Sequence, residues 1–133
     1  MLPTISQIAI ALHGVWLIAC RKPISEVHFD ISKEGFWKSL FAAVLVLPAN
    51  ILITFFSRIS LSETDYGLHQ ALQDLLIYSI TWLVYPLLII NGCIFFDKYE
   101  RALAYLVPYN WASVPLSYIL AAVTIAVSYT HLR

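Results

Sequence analysis

The sequence predicts an all-α integral membrane bundle of three spanning helices plus an N-terminal helix lying in the membrane interface. Three observations carry this. Of 133 residues, 60% are hydrophobic and only 12% are charged, whereas soluble domains hold roughly 25% charged and about 45–50% apolar residues. Charge-free runs of spanning length recur. The basic residues between those runs alternate in abundance from one connecting segment to the next.

The N-terminal run has no charge before Arg21. On a helical wheel Ile5, Ile8, Ala9, Leu12, Val15, Trp16 and Ala19 fall on one side, and Ser6, Gln7, His13, Gly14 and Arg21 on the other. That modest amphipathic pattern predicts an interfacial helix over residues 1–20, with a fourth span as the alternative. The basic residues follow the apolar run instead of preceding it, which speaks against a cleaved signal peptide.

The first span is expected at 36–57, since residues 39–57 carry no charge and Arg58 ends the run. About 20 residues cross a hydrocarbon core of roughly 30 Å. Ser32 is placed to cap this helix, with Glu34 in its first turn. The second span is expected at 70–96, with Ser62, Thr64 and Asp65 as cap candidates and Asp97 as the stop. The third run, 100–129, contains Pro108 and Pro115. It is expected to break into a short helix over Glu100–Leu106, an irregular knuckle over Val107–Trp111, and a span from Ser113 to Tyr129.

Segment 21–38 holds Arg21, Lys22, Lys33 and Lys38, and the turn 97–101 holds Lys98 and Arg101. Loop 58–74 holds only Arg58. The positive-inside rule then puts 21–38 and 97–101 in the cytoplasm and 58–74 outside, in agreement with three crossings. Aromatics at the predicted ends (Phe36, Trp37, Phe55, Phe56, Phe95, Phe96 and Tyr99) fit headgroup belts.

The chemistry-bearing residues are sparse. Net charge is zero, so no global field attracts nucleic acid. Cys20 and Cys93 sit in apolar runs, and the four histidines lack ligand spacing, so no disulfide, metal or cofactor is expected. No Ser–His–carboxylate pattern appears, and no catalytic residue is assigned. His69 with Asp65 and Asp74 reads as a solvated helix start, and Thr54, Ser79, Thr81, Ser113, Ser117 and Thr124 as hydroxyls returned to their own helices. The candidate site is an intramembrane polar seam: Pro48 with Asn50, Pro86 with Asn91, and Pro108 with Asn110. A proline leaves a carbonyl one turn earlier without its partner, and a nearby Asn amide serves that carbonyl or a neighbouring helix. The plain reading of the seam is glue between helices.

The segments His28–Leu47 (HFDISKEGFWKSLFAAVLVL), Trp82–Pro86 (WLVYP) and Ala104–Trp111 (AYLVPYNW) resemble a group of small uncharacterised bacterial membrane proteins. That group is similar in layout to the Yip-domain family, whose bundles hold more spans than this chain. The resemblance implies a non-catalytic role in the bacterial inner membrane, either binding a protein partner or a second copy or organising the lipid bilayer, with no catalytic residues. The alternative is a small permease or transporter subunit built on the Asn/Pro seam. Residues 128–133, Ser-Tyr-Thr-His-Leu-Arg, resemble translated sequencing-adapter read-through. On that reading the native chain continues past Val127 and three spans are a lower bound.

Overall fold

The computed structural model describes residues 2–25, 27–60 and 67–131. They form five helices: α1 (Ile5–Ala19), α2 (Lys33–Ser39), α3 (Ala42–Ser60), α4 (Leu68–Phe95) and α5 (Tyr99–His131), with no strand among the described residues. Three stretches are long and apolar enough to cross a membrane: Lys33–Ile59, Leu68–Phe95 and Tyr99–Thr130. The expected all-α membrane bundle is what the chain forms.

At 15 residues, α1 is shorter than the three spans. It would reach only about 22 Å of the roughly 30 Å core. Thr4 and Gln7 form a reciprocal capping box at its start. Its inward face matches the apolar side only in part. Ala11 and Gly14 are buried and Ile8, Leu12 and Val15 pack on the core, while Ile5 and Trp16 point outward. Gly14, assigned to the polar side, is the reason. A Cβ there would lie 2.8 Å from the His28 Cβ and 2.9 Å from the Phe29 ring, so only a glycine lets the 27–31 segment lie on α1. The His28 ring also lies tilted against His13, with centroids 5.4 Å apart, and bonds the Ser25 hydroxyl at 2.9 Å.

The Ser32 cap forms as expected, its hydroxyl accepting from the Gly35 N–H at 3.1 Å. Glu34 pairs with Lys38 at 2.9 Å. Gly35 meets the Asp30 carbonyl so closely that a Cβ would sit 1.9 Å from its oxygen. The first span does not run unbroken from 36 to 57. Bonds of the i→i−3 kind, Phe41 N–H to Lys38 and Ala43 N–H to Leu40, tighten residues 40 and 41 into a turn between α2 and α3.

The helix α4 starts after Gly67, whose N–H donates to Gln70 Oε1 at 3.1 Å. The cap candidates Ser62, Thr64 and Asp65 lie outside the described residues. Both α1 and α4 end alike. Arg21 and Asp97 take positive φ (54° and 55°). Lys22 N–H then reaches Leu17 O, and Lys98 N–H reaches Cys93 O. These are Schellman endings built without glycine.

The expected break in the third span is absent: α5 runs through Pro108 and Pro115 for 33 residues. The segment predicted as a knuckle contributes three buried residues to the core. Leu106, Val107, Asn110 and Trp111 face inward with Leu103 and Val114, a stripe at helical spacing. An interior proline costs about 3 kcal/mol. Holding this stripe against α1, α2 and α3 requires one continuous helix, and that packing outweighs the two lost backbone bonds.

The tightest pair is α3 with α5. Buried alanines (Ala42, Ala49 and Ala121) let their backbones approach. Side-chain bonds fix them parallel: Asn110 to Ser39, Tyr118 to the Leu45 carbonyl, and Ser128 to the Phe56 carbonyl. Antiparallel to both, α4 packs on α5 but stands off from α3. Segments 21–38 and 97–101 share one end, where Lys33 lies 6.0 Å from the Tyr99 ring centroid.

Candidate functional site

The gap between α3 and α4 is the site. With α5 as its floor, it encloses a cleft of about 450 Å³. Three polar stripes at helical spacing face it: Asn50 and Thr54 on α3, Asp74, Tyr78, Thr81 and Tyr85 on α4, and Asn110, Ser113 and Ser117 on α5. Each stripe recurs every three to four residues, which puts its members on one helix face.

Two struts hold α4 at this distance. Arg58 binds both Asp74 carboxylate oxygens through one guanidinium nitrogen, at 3.0 and 3.1 Å. Tyr78 donates its phenol to the Ala43 carbonyl. Tyr118 donates to Leu45 O at 3.0 Å. Leu45 neighbours Val44, whose carbonyl loses its helical donor to Pro48. Toward the 97–101 end the cleft closes on aromatics. Tyr85 and Tyr105 share a hydroxyl bond of 2.7 Å, and the Tyr85 and Tyr109 rings lie 4.8 Å apart.

The predicted seam is brought together in part. Asn50 and Asn110 both line the cleft, as does Pro86, the one buried residue of α4. Asn110 is 1% exposed and donates to the Ser39 hydroxyl at 2.8 Å, which in turn donates to Phe36 O at 2.7 Å. Asn91 does not join. It is exposed and returns its amide to Leu87 O at 2.7 Å. Pro48 is exposed, and Pro108 lines a separate hollow with Ile24, Ser25, Phe29 and Ser32.

Among the hydroxyls, Ser79, Thr81, Ser113 and Thr124 bond carbonyls four residues earlier, as expected. Thr54 and Ser117 do not, although both line the cleft. Asn50, Thr54 and Ser117 have no protein hydrogen-bond partner among the described residues. Asp74, read from sequence as part of a solvated helix start, is drawn into the cleft wall by Arg58. The tyrosine struts gave no sequence signal, because a phenol that reaches a carbonyl on another helix has no fixed spacing.

These helices define an all-α membrane protein with a polar cleft inside its bundle. Compared with protein families, curated proteins and solved structures, the chain finds no match.

Proposed function

We propose that the protein is a non-catalytic membrane protein, of the bacterial inner membrane, that works by binding a ligand or partner in the α3–α4 cleft. One observation supports this most. Asn50, Thr54 and Ser117 present amide and hydroxyl groups to the cleft with no protein hydrogen-bond partner among the described residues. Lipid cannot satisfy such groups, so a bound polar group or water must. Among the described residues no acid–base or nucleophilic set converges on the cleft, and the one carboxylate that lines it, Asp74, is held by Arg58.

The tyrosine cluster and the Leu106, Val107 and Trp111 core close the cleft toward the 97–101 end, and Asp74, paired with Arg58, lines its other end. A one-sided binding cleft fits this better than a through path. The permease-subunit reading keeps one supporting feature, the two amides Asn50 on α3 and Asn110 on α5 that line the cleft. The basic residues of 21–38 and 97–101 favour a cytoplasmic location for that end.

Cysteine access tests both readings. In a Cys20→Ser, Cys93→Ala background reconstituted in sealed vesicles, Thr54→Cys is exposed to a charged methanethiosulfonate. Labelling from the 58–74 side alone supports the binding cleft. Labelling from both sides favours the permease subunit, and no labelling from either side overturns both.

A further inference from the structure

The cleft does not end at its polar wall. A second hollow of about 510 Å³ lies against it on the outer side of the α3–α4 gap. The two share Asn50, Thr54, Asp74 and Tyr78. The outer hollow is otherwise lined mainly by hydrocarbon: Leu47, Ile51, Phe55, Ile59, Ala71 and Leu75. Ile51 and Phe55 are exposed on the bundle surface, 59% and 57% respectively, where a span meets acyl chains. The struts at Ala43 and Arg58 bound the gap, and residues 47–55 of α3 lie between them. Inside is an amide-and-hydroxyl compartment, outside is an apolar one, and the two meet through a window facing lipid.

We infer that this double compartment is a binding site for a single-chain amphiphile with an uncharged, hydroxyl-bearing head, which enters sideways from the bilayer. The inference rests on the cleft being a binding site. The head sits among Asn50, Thr54 and Ser117, which have no hydrogen-bond partner among the described residues. The tail leaves over Ile51, Phe55 and Leu75. Each compartment is within the roughly 300–1,000 Å³ of small-molecule sites. The head is uncharged because the ionisable pair at the window, Arg58 and Asp74, already neutralises itself at 3.0 Å. Among the described residues no other charged side chain lines either compartment, so a net charge brought beside that pair at membrane depth would meet no further opposite charge to offset its desolvation. One chain fits because the window is a gap between two helices joined at both ends.

The probe is a monoacylglycerol carrying a diazirine in its acyl chain, added to the full chain in phosphatidylcholine nanodiscs, with adducts mapped by peptide mass spectrometry. A diazirine acyl methyl ester, which lacks the hydroxyls, is the control. The monoacylglycerol is expected to concentrate on Leu47, Ile51, Phe55 and Leu75, and the ester to spread over exposed positions such as Leu76 and Leu83. Thr54→Val keeps the side-chain volume and removes one hydrogen-bonding group, and is expected to lower adduct yield at Ile51 and Phe55 about fivefold. Asn50→Leu is expected to lower it further, with unchanged labelling at Leu83 reporting an intact fold. Equal spreading of both probes, or a yield indifferent to Thr54→Val, overturns the inference. A partner helix seated in the window would give that same result. If Thr54→Cys is still reached by the water-borne reagent in that case, the binding cleft stands and only the amphiphile is wrong. If it is not reached, both fail.

Discussion

Asn110 on α5 donates its amide to the Ser39 hydroxyl at the end of α2, with both side chains sealed from solvent. Ser39 passes the bond on to the Phe36 carbonyl. Three groups from two helices thus satisfy one another at the point where the first span turns. Asn110→Ala is expected to destabilise the protein by about 1–3 kcal/mol, since it withdraws a buried donor. The double variant with Ser39→Ala should lose less than the sum, by about 0.6–2 kcal/mol. Unfolding in mixed micelles of the four proteins of that cycle measures the coupling, and strict additivity would deny the relay.

The two glycines that admit the 27–31 segment should not tolerate side chains. Gly35→Ala places a Cβ against the Asp30 carbonyl and is expected to cost more than about 2 kcal/mol. Gly14→Val should lift the segment off α1 while leaving the α3–α5 pair intact. Hydrogen exchange would show this as faster exchange in residues 5–19 with no change in residues 42–60.

Asp97 holds a left-handed conformation at the end of α4. Glycine adopts that conformation without a steric penalty. Asp97→Gly is therefore expected to stabilise the protein by about 0.5–1 kcal/mol, and a raised unfolding midpoint in detergent would register it.

Asp30 lies outside the spans. Hydrogen bonding from the Ser32 side chain, and then from its backbone N–H, holds its carboxyl below the ordinary carboxylate value. A lowered folded pKa contributes stability that is present above the unfolded value of about 3.9 and is lost as pH falls through the folded one. Asp30→Asn should thus be less stable than the parent at pH 7, by a small margin because the side chain is exposed. The margin should close as pH drops below about 3.9. A gap that stays constant with pH would contradict the role of Ser32.

The orientation is checked in intact cells. A maleimide that does not cross the membrane is expected to label Ser62→Cys and to spare Lys98→Cys. The reverse pattern would invert the bundle.

Much of this architecture is written in charge and hydropathy. The charge-free run 39–57 takes in the end of α2, the turn after it and most of α3, the run 75–96 ends at the cap of α4, and the Ser32 cap follows from local chemistry alone. The continuity of α5 is not visible that way. Pro108 and Pro115 argue for a break by local rules, and only the burial of Val107, Asn110 and Trp111 against other elements overrides them. The site is legible by halves. Asn50 and Asn110 stood out as amides in apolar runs. Asn91 stood out equally, yet it is six residues past Tyr85, a rotation of about 240° that turns it off the cleft face. Thr54 and Ser117 look like every other membrane hydroxyl until their carbonyl partners prove to be missing.

The struts from Tyr78 and Tyr118 end on main-chain oxygens of α3. A carbonyl survives nearly any replacement of its own side chain. Residues 43 and 45 can therefore drift in identity without loosening α4 or α5, whereas loss of either phenol cannot be compensated from the α3 side. Mutational tolerance should accordingly be lopsided across the gap: permissive where the bonds are received, strict where they are given. A lineage could remodel what lines the α3 wall while the spacing that creates the opening stays constant.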